Sequence, residues 1–163
     1  MTAIFKRVLN KLKGKLYCIF HKELWGKRAQ INGIPQITGI DKLTIGKDVS
    51  FNEKCFLQCG GGGVEIGNRV TLSHGVTILT VGLDTQDYFS NSDRTFREHI
   101  KKSVSIGDGT WCAANVTICP GTVIPERCIV AAGSVVCGHL EESDCIYGGV
   151  PARKIKKLEK TVH

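Results

Sequence analysis

Long apolar runs are absent from this sequence. It has no stretch of about 18 consecutive apolar residues, the length a helix needs to cross a bilayer, so no membrane-spanning helix is expected. Lys6, Arg7, Lys11, Lys13 and Lys15 interrupt every apolar stretch near the N-terminus. A secretory leader is therefore not expected, and the expected location is the cytoplasm. The cysteines, at 18, 55, 59, 112, 119, 128, 137 and 145, include no C-x-x-C pair. That argues against a structural zinc site and for free thiols in a reducing compartment. Aromatic residues are scarce, at 7%, and do not interleave with the basic ones. With no nucleic-acid-binding motif either, no nucleic-acid partner is expected.

The 163 residues, 42% hydrophobic and 23% charged, suffice for one globular domain. The net charge is +7, and much of the excess lies at the two ends, in residues 6–28 and at Arg153, Lys154, Lys156, Lys157 and Lys160. Such ends are either plain solvated surface or attract an anionic ligand or an acidic membrane surface.

The main signal is a six-residue period. Apolar residues recur at Ile45, Phe51 and Leu57, at Ile66, Leu72 and Ile78, and at Ile106, Cys112, Ile118, Ile124, Val130 and Val136. Four residues after most of these stands a small or β-branched side chain: Val49, Cys55, Gly61, Val70, Val76, Thr110, Val116, Thr122, Cys128 and Ser134. This hexapeptide pattern predicts short strands that each send one aliphatic residue inward before the chain turns a corner. Three hexapeptides form a coil, and stacked coils bury a continuous ladder. The fold class expected is all-β, a left-handed parallel β-helix. The thiols of Cys55, Cys112 and Cys128 fall at interior positions, where they act as small hydrophobes.

The register breaks twice. The step from Leu57 to Ile66 is nine residues, which predicts a small corner bulge at Gly60–Gly63. The step from Ile78 to Ile106 is twenty-eight, which predicts a long polar loop inserted near 81–103. A loop of that length without its own pattern is usually functional or disordered. Residues 1–26 form a separate unit. Ile4, Phe5, Val8, Leu9, Leu12, Leu16, Ile19 and Phe20 recur at helical spacing with lysines between them, predicting an amphipathic helix broken softly at Gly14. It is expected to cap the first coil, or to contact a membrane surface or a partner through residues 2–24. Residues 27–150 are assigned to the β-helix and 151–163 to a basic C-terminal tail.

The repeat, the segment Ala131–Val136 (AAGSVV), the segment Ile106–Trp111 (IGDGTW) and the ending Gly148–Arg153 (GGVPAR) resemble the hexapeptide-repeat acetyltransferase superfamily. The similarity is greatest to its sugar, galactoside, maltose and capsular-polysaccharide O-acetyltransferases and its serine acetyltransferases. This resemblance implies a homotrimer, acetyl-CoA as acyl donor in a groove between subunits, no metal, and a histidine as general base. It also implies that the Ala114 N–H meets the thioester oxygen, an oxyanion contact that needs no particular side chain. Trp111 matches a tryptophan beside the active site, and Ala132 and Gly133 match backbone contacts to the pantetheine arm. Arg153 matches an arginine that meets the CoA phosphates. Cys137 and Gly138 stand where the family often has Thr-Lys, so a cation is missing there.

The acceptor side departs from the sugar branch. Where that branch carries a Gly-His pair this chain has Gly82-Leu83-Asp84, and the positions of its Asn and Asp partners fall near Glu53 and Gly61. Arg97-Glu98-His99 resembles an Arg-His pair of serine acetyltransferases, at a different spacing. His21, His139 and His163 are expected to be peripheral. His99, at the end of the insertion, is the expected base, because imidazole titrates near neutral pH. His74, in the same corner column as Ala114, is the second candidate, and Asp84 a candidate to orient the base. Transfer is expected to be direct, since an inward Cys112 thiol would be unreactive. The expected acceptor is a hydroxyl of a sugar or glycan precursor. Serine, an amino sugar or a xenobiotic stays open as acceptor, and so does a non-catalytic hexapeptide scaffold.

Overall fold

A computed structural model describes residues 3–85 and 98–159, with side chains from Val8 onward. Helix α1 spans Ala3–Phe20. The first coil comprises β1 (Gln30–Ile31), β2 (Gln36–Thr38) and β3 (Leu43–Ile45), and the second β4 (Ser50–Phe51), β5 (Phe56–Gln58) and β6 (Val64–Ile66). The third contains β7 (Thr71–Leu72) and β8 (Thr77–Leu79). It is interrupted by a hairpin of β9 (Val81–Leu83) and β10 (His99–Lys101), and closes with β11 (Val104–Ile106). The fourth is β12 (Trp111–Cys112), β13 (Thr117–Ile118) and β14 (Val123–Ile124). The fifth holds β15 (Ile129–Val130) and β16 (Val135–Val136) and closes through a parallel bridge of His139 to Val123; β17 (Cys145–Gly149) then stacks on β15, and β18 (Ala152–Lys157) turns back.

Stacking the coils makes three parallel sheets. The first runs β1-β4-β7-β12-β15-β17, with β18 added antiparallel at its end. The second has β2, β5, β8, β13 and β16 in line, and the third β3, β6, β11 and β14. The register aligns the six-residue positions into inward ladders: Phe51–Leu72–Cys112–Val130, Leu57–Ile78–Ile118–Val136 and Ile45–Ile66–Ile106–Ile124. Every one of these side chains is buried. At about 1.5–3 kcal/mol for each large aliphatic taken from water, these ladders are the main stabilising term. The solenoid is of the class the repeat predicts.

The positions four residues on are filled as expected, and the polar ones are satisfied. The Thr110 hydroxyl donates to the Pro125 carbonyl at 2.9 Å and the Thr122 hydroxyl to the Val136 carbonyl at 3.1 Å, so neither buried oxygen loses its hydrogen bond. Gly61 is the exception. The bulge at Gly60–Gly62 displaces it, and Val64, in register with Val104 and through it with Thr122, takes the interior place with no exposure.

Three expectations need correction. Helix α1 continues through Gly14, which marks a close approach instead of a break: a Cβ there would lie 2.5 Å from the Ile31 carbonyl oxygen. The insertion near 81–103 has a patterned stem, the antiparallel β9–β10 ladder, while residues 86–97 lie outside the described residues. Residues 152–157 are a strand and not a tail, because β17 offers an open edge that β18 pairs.

Candidate active site

The chain turns from the first sheet into the second at a corner that carries most of the residues matched to CoA contacts. His74, Ala114 and Ala132 stack there in successive coils. The Asn115 N–H donates to the His74 carbonyl at 2.8 Å, and the Gly133 N–H to the Ala114 carbonyl at 2.9 Å. Sharp turning explains the backbone: Asn115 and Gly133 are both left-handed, at φ 57° and 70°. Gly75 below them has φ 72°, and a Cβ there would lie 2.3 Å from Asn115 Oδ1, so conformation and space both call for glycine. The N–H groups of Ala114 and Ala132 meet no acceptor among the described residues, and the space around Gly133 is open. These are donors a ligand could use, and the corner fits an extended acyl-carrying arm laid along the solenoid axis.

Trp111, at the start of β12, is 48% exposed and donates its indole N–H to Ser73 Oγ at 2.8 Å. That bond holds the ring beside the corner, one residue from His74. Arg153 lies on β18 across from Gly148, and Gly148 packs against Ala131. Arg153 is thus three strand spacings, about 14 Å, along the axis from the level of Ala113. It is exposed, with Nη1 donating to the Ala152 carbonyl at 3.0 Å. A strand holds this guanidinium at the axial end of the same corner, where a free tail would have left it unplaced.

The expected base lies elsewhere. His99 and Leu83 are directly paired in the β9–β10 ladder, which leaves the solenoid at the corner between the second and third sheets. His99 is exposed. Asp84 follows Leu83, and its N–H donates to the Glu98 carbonyl at 2.9 Å. The pleat therefore sends the side chains of Asp84 and His99 to opposite faces of the ribbon. Arg97 lies outside the described residues, as does His163. The structure unites His74, Trp111, Ala114, Ala132, Gly133 and Arg153 on one corner of the chain, and places His99 and Asp84 on the next.

Sequence reasoning missed the cleft at the foot of this hairpin. It has a volume of about 710 Å³ and is lined by Lys101, Lys102, Ser103, Pro120, Gly121, Val123, Gly138 and His139. Gly138 is where the family often has lysine. Lys101 and Lys102 bring cations to the same cleft from another part of the chain, which no spacing in the sequence could reveal. The cysteines offer no nucleophile in the ladder. Cys112 is fully buried and its thiol is pushed up to about 12 by burial. Burial likewise pushes the Cys119 thiol up to about 11, and its sulfur lies 3.1 Å from that of Cys137.

No protein-family model matches the chain. It is 31% identical over 128 residues to WbbJ of Escherichia coli, named for O-acetyl transfer in lipopolysaccharide biosynthesis; the match covers 78% of this chain and 57% of that protein. It is also 31% identical over 157 residues to serine acetyltransferase 4 of Arabidopsis thaliana, covering 88% of this chain and 39% of that one. The chain thus spans about half the length of these two relatives. Among solved structures, a hexapeptide-repeat acetyltransferase of Vibrio cholerae complexed with acetyl coenzyme A shares the fold, with a TM-score of 0.75 and 24% identity, covering 91% of this chain and 79% of that one. Taken with the repeat and the coils it builds, these likenesses make the chain similar in sequence and in fold to hexapeptide-repeat acetyltransferases.

Proposed function

We propose that this protein transfers the acetyl group of acetyl-CoA to a hydroxyl of a sugar or glycan precursor, with His99 as general base. The observation that carries this reading is the placement of His99 across the ladder from Leu83, the position where the sugar branch has its histidine. In this scheme the neutral His99 imidazole takes the proton of the acceptor hydroxyl as its oxygen bonds to the thioester carbon. The Ala114 N–H donates to the oxyanion of the tetrahedral intermediate. When that intermediate collapses, the carbon–sulfur bond breaks and the coenzyme leaves as thiolate, which the imidazolium reprotonates.

The two corners of one subunit are separated by the second sheet, so one chain does not bring His99 to Ala114. A groove formed by one subunit's His99 corner and its neighbour's Ala114 corner supplies both, and a homotrimer is the assembly this reading requires. Lys101, Lys102 and Arg153 would then draw in an anionic donor. The likeness to WbbJ favours a glycan acceptor, and the equal identity to a serine acetyltransferase keeps serine as a second reading. The test is release of free thiol from acetyl-CoA against a panel of sugars, nucleotide sugars and serine. Turnover with sugars alone is expected. Turnover with serine alone would overturn the acceptor, and no turnover with any acceptor would favour the scaffold reading.

A further inference from the structure

Among the described residues twelve large apolar side chains are exposed, and six of them lie between Val8 and Trp25. Val8, Leu12, Leu16 and Ile19 are 52%, 60%, 54% and 54% exposed, and Phe20 and Trp25 are 76% and 60%. At about 100° per residue the first four form one stripe along α1. The helix touches the first coil through the other side. Gly14 is buried against Ile31, Tyr17 and Cys18 are half-buried against the core, and Leu24 beyond the helix is buried. A helix that served only as a cap would turn its apolar stripe to the coil. Here glycine makes the close contact, and the stripe points the opposite way.

Charge specifies what covers it. Lys11 and Lys15 flank the stripe on one side and Lys13 on the other, all exposed. Residues 1–22 contain Lys6, Arg7, Lys11, Lys13, Lys15 and Lys22 and no acidic residue. A second copy of the same helix would bring like charges together around the stripe with no carboxylate on the segment to offset them.

We infer that α1 is a membrane-surface helix, which lays the Val8–Leu12–Leu16–Ile19 stripe into the headgroup boundary of an anionic bilayer while its lysines meet the lipid phosphates. Trp25, just past the helix, is 60% exposed and is of the residue type enriched at membrane interfaces. The solenoid then stands on the membrane through its first coil, whatever the acceptor is.

Flotation of the full chain with vesicles tests this. Binding is expected to phosphatidylcholine vesicles containing phosphatidylglycerol, and to weaken by about tenfold or more without the anionic lipid or in high salt. The double variant Leu12→Glu, Ile19→Glu should lose binding by at least about tenfold while its circular dichroism and oligomeric size stay those of the parent. Lys11→Glu, Lys15→Glu should weaken binding without touching the stripe. Failure of the parent to float with anionic vesicles overturns the inference. So does a double variant that binds as the parent does, or one whose oligomer dissociates, which would make the stripe a contact between subunits.

Discussion

His99 is the direct cross-strand partner of Leu83. Side chains of such a pair stand on one face of the ribbon with Cβ atoms about 4.5–5.5 Å apart. The imidazole therefore stands beside Leu83, although sixteen positions separate the two along the chain. His99→Ala is expected to lower turnover by about 10²–10⁴-fold with acetyl-CoA affinity retained. His74→Ala should cost much less. Combining His99→Leu with Leu83→His should restore part of the activity that His99→Leu loses. Steady-state kinetics on the four variants decide it; unchanged turnover in His99→Ala removes His99 from the mechanism.

Arg153 is held by β18 at the end of the corner that carries Ala114 and Ala132. Arg153→Ala should weaken acetyl-CoA binding by about 1.5–3 kcal/mol, the worth of a charge-assisted hydrogen bond. Calorimetric titration with acetyl-CoA measures this directly. An unchanged affinity would place the phosphates elsewhere, with Lys101 and Lys102 the next cations to substitute.

Asp108 joins two coils. It accepts from the Asn68 backbone N–H at 2.8 Å and from the Asn68 side-chain amide at 2.9 Å, and these bonds hold its carboxyl below the ordinary 3.8. A depressed carboxyl contributes stability that is present above its unfolded value and is lost as pH falls through the folded one. Thermal unfolding midpoints should therefore drop on acidification below about pH 4, and the Asp108→Asn variant should show less of that drop. An identical pH dependence in both proteins would count against the bond.

Gly14 sets the distance between α1 and the first coil. Gly14→Leu improves helix propensity by up to about 1 kcal/mol, yet has no room against the Ile31 backbone. The expected outcome is full helicity by circular dichroism, with faster amide exchange at the β1 edge as the helix moves off. Unchanged exchange there would show that the close approach tolerates a side chain.

The inward ladders were legible because one constraint repeats: every six residues an aliphatic side chain must fill the same column, so Ile106, Cys112, Ile118, Ile124, Val130 and Val136 announce themselves by spacing alone. The bulge at Gly60–Gly62 was legible as a broken step, but the burial of Cys59 beside it was not, since only the turn decides which small residue there faces inward. Ala114, Ala132 and Gly133 could be placed on one corner by the same arithmetic. The function proposed for them would use backbone N–H groups, which leave little mark on residue type.

By itself the sequence determined the architecture, because burial of one ladder position per hexapeptide is a local rule applied many times over. Tertiary structure decided what depends on unique, long-range contacts. The pairing of Leu83 with His99 closes a long insertion whose register no repeat dictates. The return of 152–157 as a strand depends on an edge that exists only once β17 is in place. The cleft joins Lys101 and Lys102 to Gly138 across coils. The direction in which α1 turns its apolar stripe was equally out of reach. Amphipathic periodicity says that a helix has two faces, and only the close approach at Gly14 says which of them meets the solenoid.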